Sequence, residues 1–341
     1  MKLGLVLGGG GLIGLGYHAG ALKALEEHGV EAGRADVMVG TSAGAIVAAY
    51  LAIGWRTGAF YDYTHGRHPD ALDDDDTGSV FTPLWKSHHE RFRRSIGSIV
   101  AMASSRGLLR AAGRLPLEPL WRAFPAGLYS SDETRKRLCR DLPGEWPRHG
   151  LYLCAAELRT GRRVAFGSPG APPASFPDAV LASIAIPGIF PAVEINGRPY
   201  VDGGVVSGTS LDVAADAGCD AILCIAPLGY RKDVDLPVHD PRKWSPVLVR
   251  APFARILRRE VVAARAKGID VLVVRPWLSD LAVHGTNSMR EHDRVALAEG
   301  ARVGTLRFLD DNVDHPVVRA FRGSASRNDR RRDSTESHRR E

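Results

Sequence analysis

Cysteine and aromatic residues are scarce in this chain, and the shortage excludes several classes of protein. Only 4 of the 341 residues are cysteine, and no two form a C-x-x-C pair. A disulfide framework, a structural zinc site and thioredoxin-type redox chemistry are therefore not expected. Aromatic residues make up 7%, but hydrophobic residues reach 44% and charged residues 25%. This composition indicates a globular protein with reduced thiols, and we expect a cytoplasmic location and no metal or other cofactor.

Long apolar runs are also missing. Residues 37–55 come nearest to a membrane span because they carry no charge. The Gly-Thr-Ser break at 40–42 favours a buried strand, a turn and a buried helix instead. The apolar N-terminus has the look of a signal peptide, but eight glycines between Gly4 and Gly20 would spoil its helical region. We expect neither a secretory signal nor a transmembrane helix.

Positive charge is concentrated in two segments. Residues 86–114 carry seven basic residues against one acid, and residues 322–341 carry seven against four, while the net charge of the whole chain is only +6. The remainder is slightly acidic, which is unlike a nucleic-acid-binding protein, so we expect no nucleic-acid partner. The tail from about 321 to 341 has almost no apolar residues, and it is predicted to be disordered.

The segment 84–124 reads as amphipathic helices in which apolar residues alternate with arginine. Two interpretations are open. Arginine-rich helices keep an insertion in solution, or they form a lid whose basic face contacts an anionic membrane and admits acyl chains. We favour the lid, and with it a peripheral membrane contact through 86–114.

The order of predicted elements is that of an α/β protein. A strand, a glycine loop and a helix after Gly16 are followed by a second strand, a tight turn and a helix to about residue 52. This order is typical of a parallel sheet. It lapses from about 56 to 150, which we interpret as a helical insertion, and a cationic helix is predicted at 247–267. Strands are predicted at 3–7, 36–39, 151–156, 163–166, 198–202, 221–226 and 269–275.

The most specific local motif is Gly40-Thr41-Ser42-Ala43-Gly44, a G-x-S-x-G between a predicted strand and a predicted helix. Such a turn exposes the serine Oγ and needs small neighbours, here Gly40 and Gly44. The N-terminus of the following helix adds positive partial charge beside the nucleophile. The alternative is a structural turn lined by glycine.

A glycine-rich loop lies at 8–14, after the first strand. Gly9, Gly11 and Gly14 fit the dinucleotide fingerprint G-x-G-x-x-G, but the second strand ends without the acid that binds ribose. No Lys-Ser/Thr pair follows for a Walker A loop. What the loop offers is a set of backbone N–H groups for an anion, and beside a nucleophilic serine that anion is a tetrahedral oxyanion. An oxidoreductase remains the rival from another class.

The third motif is Asp202-Gly203-Gly204, at the end of the predicted strand 198–202 and after the stretch 183–191. An aspartate before two glycines is usually a turn. Here it lies at the carboxyl end of a strand, where α/β sheets place functional groups.

With these three motifs in their order along the chain, the sequence resembles the patatin-like phospholipase family. The likeness runs from Leu3 to about Val213. The family carries a glycine-rich oxyanion loop, G-x-S-x-G and D-G-[AG], and it lacks a catalytic histidine. The resemblance implies a three-layer α/β/α sandwich over residues 3–320 and a lipid acyl hydrolase. It also implies the site residues: Ser42 as nucleophile, Asp202 as its partner, and Gly9, Gly10 and Gly11 as oxyanion donors.

One departure from the family pattern concerns the glycine loop. Many members carry Arg or Lys where this chain has Ile13, so Leu12, Ile13 and Tyr17 are expected to pack the loop in place. His18, next to this loop, is expected to pack or cap rather than to catalyse.

Burial that raises the pKa of Asp202 would make it a better base for the serine. Two alternatives stay open. One is an α/β-hydrolase-type esterase with a Ser-Asp-His triad, whose base would be His284, His292 or His315. The other is a lipid-binding protein of the same fold without turnover.

Overall fold

The structure, a computed structural model, describes residues 1–68, 130–187, 189–232, 241–281 and 294–322. The strands are β1 Leu3–Leu7, β2 Val37–Thr41, β3 Leu151–Glu157, β4 Arg163–Phe166, β5 Val193–Ile195, β6 Arg198–Asp202, β7 Ala221–Ile225 and β8 Asp270–Val274. The helices are α1 Gly11–Glu27, α2 Ala43–Ala52, α3 Ala59–Thr64, α4 Asp132–Asp141, α5 Phe176–Ile184, α6 Leu211–Asp216, α7 Pro241–Ala266, α8 Arg294–Asp310 and α9 Pro316–Arg322. Short 3₁₀ turns occupy Ala32–Arg34 and Gly203–Val205.

The strands form one mixed sheet in the order β5-β6-β3-β2-β1-β7-β8, with β4 also paired to β3. Five neighbouring strands of this order, β3, β2, β1, β7 and β8, are parallel to one another. The strands β4, β5 and β6 add antiparallel pairs. A mostly parallel α/β sheet, as predicted, is confirmed, and parallel strands end at a common edge where loops can meet.

Helices cover both faces of the sheet, which makes the fold three layers. On β1, Leu3, Leu5 and Leu7 join one core together with residues of α1 and α2. Val6 points the other way, into a second core with residues of α6 and α7. A strand buried on both faces needs a continuous apolar sequence, and the run at 3–7 has one.

The first helix begins earlier than predicted. It starts at Gly11, directly after the glycine loop, and not after Gly16. Glycine lowers helix propensity, but Gly16 and Gly20 lie against α8. A Cβ on Gly20 would lie 1.9 Å from the carbonyl oxygen of Ala298. Close packing with a helix almost 300 residues away therefore explains a glycine-rich helix that local propensity does not.

Parts of the predicted organisation lie outside the described residues. The proposed insertion at 56–150 contains α3 and α4, but most of it, including 86–114, is not described. The same holds for 323–341 in the tail. Across the described ranges, no helix is both long and apolar enough to span a bilayer.

Candidate active site

Strand register brings the G-x-S-x-G motif and the Asp202-Gly203-Gly204 motif together. Thr41, the last residue of β2, lies opposite Cys154 of β3. Asp202, the last residue of β6, lies opposite Ala155, the next residue of the same strand. Ser42 follows Thr41 directly, so the serine and the aspartate reach one point of the sheet. The Ser42 hydroxyl interacts with the Asp202 carboxylate, and this interaction opposes the rise in the Asp202 pKa that burial causes.

Ser42 occupies the strained turn that its motif predicts. Its backbone has φ 55° and ψ −124°, a combination that residues with a Cβ rarely adopt. Gly44 makes the turn possible because a Cβ there would lie 1.9 Å from the carbonyl oxygen of Leu7. Ser42 is the N-cap residue of α2, yet its side chain does not cap the helix. Its hydroxyl is therefore directed to Asp202 rather than to its own backbone.

Ser183 holds the backbone of the nucleophile turn, a role that the sequence did not reveal. It is fully buried at the end of α5. The Ser42 N–H donates to Ser183 Oγ at 3.0 Å, and this hydroxyl donates to the carbonyl oxygen of Cys154 at 2.7 Å. Ser183 thus connects the turn to the strand that also pairs with β6. The only available signal was its place at the start of the stretch 183–191.

Asp202 is a buried carboxyl group with few partners. It is 3% exposed, and its Oδ1 accepts the N–H of Gly204 at 2.7 Å. Burial raises the pKa of Asp202 from 3.8 to about 6, against the opposing hydrogen bonds from Ser42 and Gly204. A carboxylate in a low-dielectric site is a stronger base than one in water. The side chain can therefore take a proton near neutral pH.

The glycine loop lies against Ser42, but its amides are not all available. A Cβ on Gly9 would lie 3.1 Å from Ser42 Cβ. The Gly8 N–H donates to the carbonyl oxygen of Ile225 at 2.9 Å, and the Gly9 N–H donates to that of Gly208 at 2.7 Å. The prediction that Gly9 donates to an oxyanion is corrected, because its amide is already bound to a neighbouring loop. Gly10 and Gly11 remain the candidate donors.

The predicted motif glycines line this site. Gly14 N–H donates to the carbonyl oxygen of Gly10 at 2.9 Å and starts the hydrogen bonding of α1. Gly40 lies in β2, and Gly203 and Gly204 form the turn after Asp202. These glycines lie in or next to the elements that meet at the carboxyl ends of β1, β2 and β6.

His18 supports the loop from below, as expected for a packing residue. It is fully buried on α1, and its Nε2 lies 2.7 Å from the carbonyl oxygen of Gly8. Because a carbonyl only accepts, Nε2 carries the proton. Burial lowers the pKa of His18 to about 4, so the ring is neutral at physiological pH.

A model of the family "Patatin-like phospholipase" matches residues 5–215, more than half of the chain. The chain belongs to the patatin-like phospholipase family. The resemblance drawn from the three motifs is thereby confirmed, and the expected enzyme class, a carboxylic ester hydrolase, is that of the family.

The relatives of this patatin-like chain are distant and longer. Lysophospholipase NTE1 of Eremothecium gossypii is 26% identical over 351 residues, covering 93% of this chain and 19% of its own length. The chain thus spans about a fifth of that relative. The structure of VipD from Legionella pneumophila aligns with a TM-score of 0.41 at 17% identity, over 91% of this chain and 66% of VipD. The type III effector ExoU aligns with a TM-score of 0.36 at 19% identity, over 91% and 53%.

Histidine does not complete the site within the described residues. His315 interacts electrostatically with Asp270, the first residue of β8. Ser42 follows the last residue of β2. Because β2 and β8 run in the same direction, the start of β8 and the end of β2 lie at opposite ends of the strands. His315 is therefore excluded as the base of a triad. His284 and His292 lie outside the described residues.

The part of the chain that the structure describes contains no cluster of side chains suited to bind a metal ion. No group of three or more His, Cys, Asp or Glu side chains in these ranges is placed to hold an ion. Asp202 faces a serine hydroxyl and a backbone N–H, which are partners of a proton acceptor rather than of a cation.

Proposed function

We propose that the chain is a serine acyl hydrolase of lipid esters, of the phospholipase A or lysophospholipase type. Ser42 is its nucleophile and Asp202 its base. The interaction of the Ser42 hydroxyl with a buried carboxylate, whose pKa is raised by burial to about 6, carries this proposal. A serine hydroxyl is a weak nucleophile until a neighbouring base takes its proton.

In the first half of the reaction, Ser42 Oγ attacks the ester carbonyl carbon while its proton moves to Asp202. The carbonyl oxygen becomes an oxyanion that accepts the N–H groups of Gly10 and Gly11, at the N-terminus of α1. The tetrahedral intermediate then expels the alcohol, which takes the proton from Asp202. The acyl group remains on Ser42.

In the second half, Asp202 accepts a proton from water as the water attacks the acyl-serine carbonyl. A second oxyanion forms on the same amides and collapses, breaking the bond to Ser42 Oγ. The fatty acid leaves and Ser42 recovers its proton. One carboxylate thus serves both steps without histidine, because it contacts the serine directly.

A lipid ester is the substrate class that the family and the lysophospholipase relative support. The cytoplasmic location stays a prediction, because nothing in the structure bears on the compartment. The membrane contact through 86–114 also stays a prediction, because these residues lie outside the described ranges.

Hydrolysis of defined lipids tests the proposal. Purified protein is incubated with phosphatidylcholine vesicles, lysophosphatidylcholine and a triglyceride emulsion, and released fatty acid is measured by mass spectrometry. We expect release from at least one phospholipid, none from Ser42→Ala, and severely slowed release from Asp202→Asn. Vesicle binding without release from any of the three would instead identify a lipid-binding protein of this fold.

A further inference from the structure

The segment 207–210 holds two parts of the candidate site at once. Gly208 accepts the N–H of Gly9 at 2.7 Å, which fixes the glycine loop. On its other side, the Thr41 hydroxyl donates to Ser210 Oγ at 3.3 Å, directly before the nucleophile. This segment therefore contacts both the glycine loop and the residue that precedes Ser42.

Glu260 on α7 binds that segment through three hydrogen bonds. Ser207 Oγ donates to its carboxylate at 2.5 Å and Thr209 Oγ1 at 2.6 Å. The N–H of Leu211 donates at 3.3 Å. The carboxylate thus binds the residue on each side of Gly208 and also the first residue of α6. Hydrogen bonds to an ionised acceptor are stronger than those between neutral groups.

The rest of the segment depends on the same contacts. Ser207 Oγ, while donating to Glu260, also accepts the N–H groups of Thr209 at 3.3 Å and Ser210 at 2.9 Å. Ser210 has φ 53°, a left-handed conformation that a residue with a Cβ adopts only when its surroundings impose it. Without an acceptor at Glu260, two hydroxyls and one N–H would have to find new partners.

The charge pattern of α7 distinguishes Glu260 from a surface residue. Residues 241–267 contain eight lysines and arginines, and Glu260 is their only acid. Its carboxylate binds hydroxyls on the inner side of the helix. Phe253 of the same helix covers Gly208, since a Cβ there would lie 2.9 Å from its ring.

We propose that Glu260 is a positioning residue that fixes the glycine loop against Ser42 by holding Gly208 in place to bind the Gly9 amide. It touches neither substrate nor nucleophile, and it acts through the segment 207–210. Its effect on catalysis rests on the function proposed above. Its effect on the loop does not.

Replacing Glu260→Gln keeps the size of the side chain but removes its charge and one of its two acceptors. We expect kcat on a soluble activated ester to fall about 10- to 100-fold with KM nearly unchanged, because misplacing oxyanion donors weakens binding of the transition state more than that of the substrate. Affinity for a trifluoromethyl ketone, which adds to the serine as a tetrahedral adduct, should fall by the same factor as kcat/KM. Phosphonate titration should still count one reactive serine per chain.

Hydrogen exchange of the loop gives a readout that needs no activity. In Glu260→Gln the amide of Gly9 should exchange several-fold faster than in wild type, because its acceptor is no longer fixed. Two controls should leave this exchange unchanged. Arg259→Gln alters the exposed neighbour on α7, and Asp216→Asn removes a carboxylate of α6 that pairs with Lys267 at 2.7 Å.

If Glu260→Gln fails to fold, Thr209→Val takes its place, because it removes one donor to Glu260 and keeps the shape of the side chain. Unchanged exchange at Gly9 together with unchanged kcat per titrated serine would overturn the proposal. So would a loss of activity explained entirely by fewer titratable serines. If wild type hydrolyses no ester but exchange at Gly9 still accelerates, the hold on the loop stands and the proposed function fails.

Discussion

At the scale of single residues, the two side chains proposed for the chemistry occupy energetically unfavourable positions in the fold. Ser42 has a backbone conformation of φ 55° and ψ −124°, and Asp202 is a carboxyl group only 3% exposed. Both cost free energy of folding, which neighbouring contacts such as Ser183 must offset. Residues selected for stability alone would be a glycine and a neutral side chain.

Backbone strain at Ser42 predicts an order of stability among inactive variants. Both Ser42→Gly and Ser42→Ala lack the hydroxyl, but only glycine adopts a positive φ without a steric cost. We expect Ser42→Gly to exceed Ser42→Ala by about 1 kcal/mol in the free energy of unfolding, measured by urea denaturation. Equal or reversed stabilities would mean that the turn is not strained.

Burial of Asp202 predicts opposite effects of pH on stability and on rate. Its folded pKa of about 6 lies above the ordinary 3.8. The stability that its protonated form contributes is therefore complete below pH 3.8 and lost as pH rises through 6. Relative to wild type, Asp202→Asn should gain up to about 3 kcal/mol of unfolding free energy between pH 4 and pH 8.

The same carboxylate is the base, so kcat/KM of wild type should rise with pH and reach half its plateau near 6. Two results would contradict the assignment: unfolding curves of wild type and Asp202→Asn that move in parallel with pH, or an acid limb near 4.

At the scale of elements, the sequence predicted strands better than the packing of helices. The strands at 3–7, 163–166 and 198–202 were placed to the residue, because each is a short run with clear boundaries. The start of α1 was wrong, and α5, α6, α8, α9 and β5 were not predicted. Their signals are weak in the sequence, and α1 and α8 stabilise each other across nearly the whole chain.

A pair of helix glycines separates packing from propensity. A Cβ on Gly20 of α1 would lie 1.9 Å from the backbone of Ala298, whereas a Cβ on Gly300 of α8 would have open space. Gly300→Ala should stabilise the protein by up to about 1 kcal/mol, since alanine is the better helix former. Gly20→Ala should lower stability by about 2 kcal/mol or more, because the helices must separate. Thermal denaturation measures both, and two stabilising substitutions would refute the close helix contact.

At the scale of the whole molecule, the family match ends before the sheet is complete. It covers 5–215, but β7 at Ala221–Ile225 pairs with β1 along its full length. The carbonyl oxygen of Ile225 also accepts the Gly8 N–H, so the glycine loop depends on a strand beyond the matched region. The described strands and helices after residue 215 are therefore part of the same folding unit.

Two shortened chains test this dependence. A chain ending at residue 215 would leave the edge of β1 unpaired and α1 without α8, and we expect no cooperative unfolding transition from it. A chain ending at 322 lacks only the tail predicted to be disordered, and it should melt within about 2 °C of the full chain. Calorimetry distinguishes the two. A cooperative transition in the shorter chain would show that β7 and α8 are dispensable.

For the site as a whole, the sequence was informative where one residue type must stand at a fixed place in a turn. The candidate residues Ser42 and Asp202 and the glycine loop were identified in this way. Ser183, Gly208 and Glu260 were not, because a serine, a glycine and a glutamate carry no signal of a partner that lies far away in the sequence. The correction at Gly9 has the same origin, since the partner of its amide belongs to another loop.

The most direct test of the Ser42–Asp202 assignment is the rate and position of covalent labelling by a fluorophosphonate. We expect mass spectrometry to find one adduct, on Ser42, and no adduct on Ser42→Ala. Asp202→Asn, folded as judged by circular dichroism, should be labelled more slowly by a factor of about 10² or greater, because the hydroxyl has lost its base. An adduct on another residue, or labelling of Asp202→Asn at the wild-type rate, would contradict the assignment.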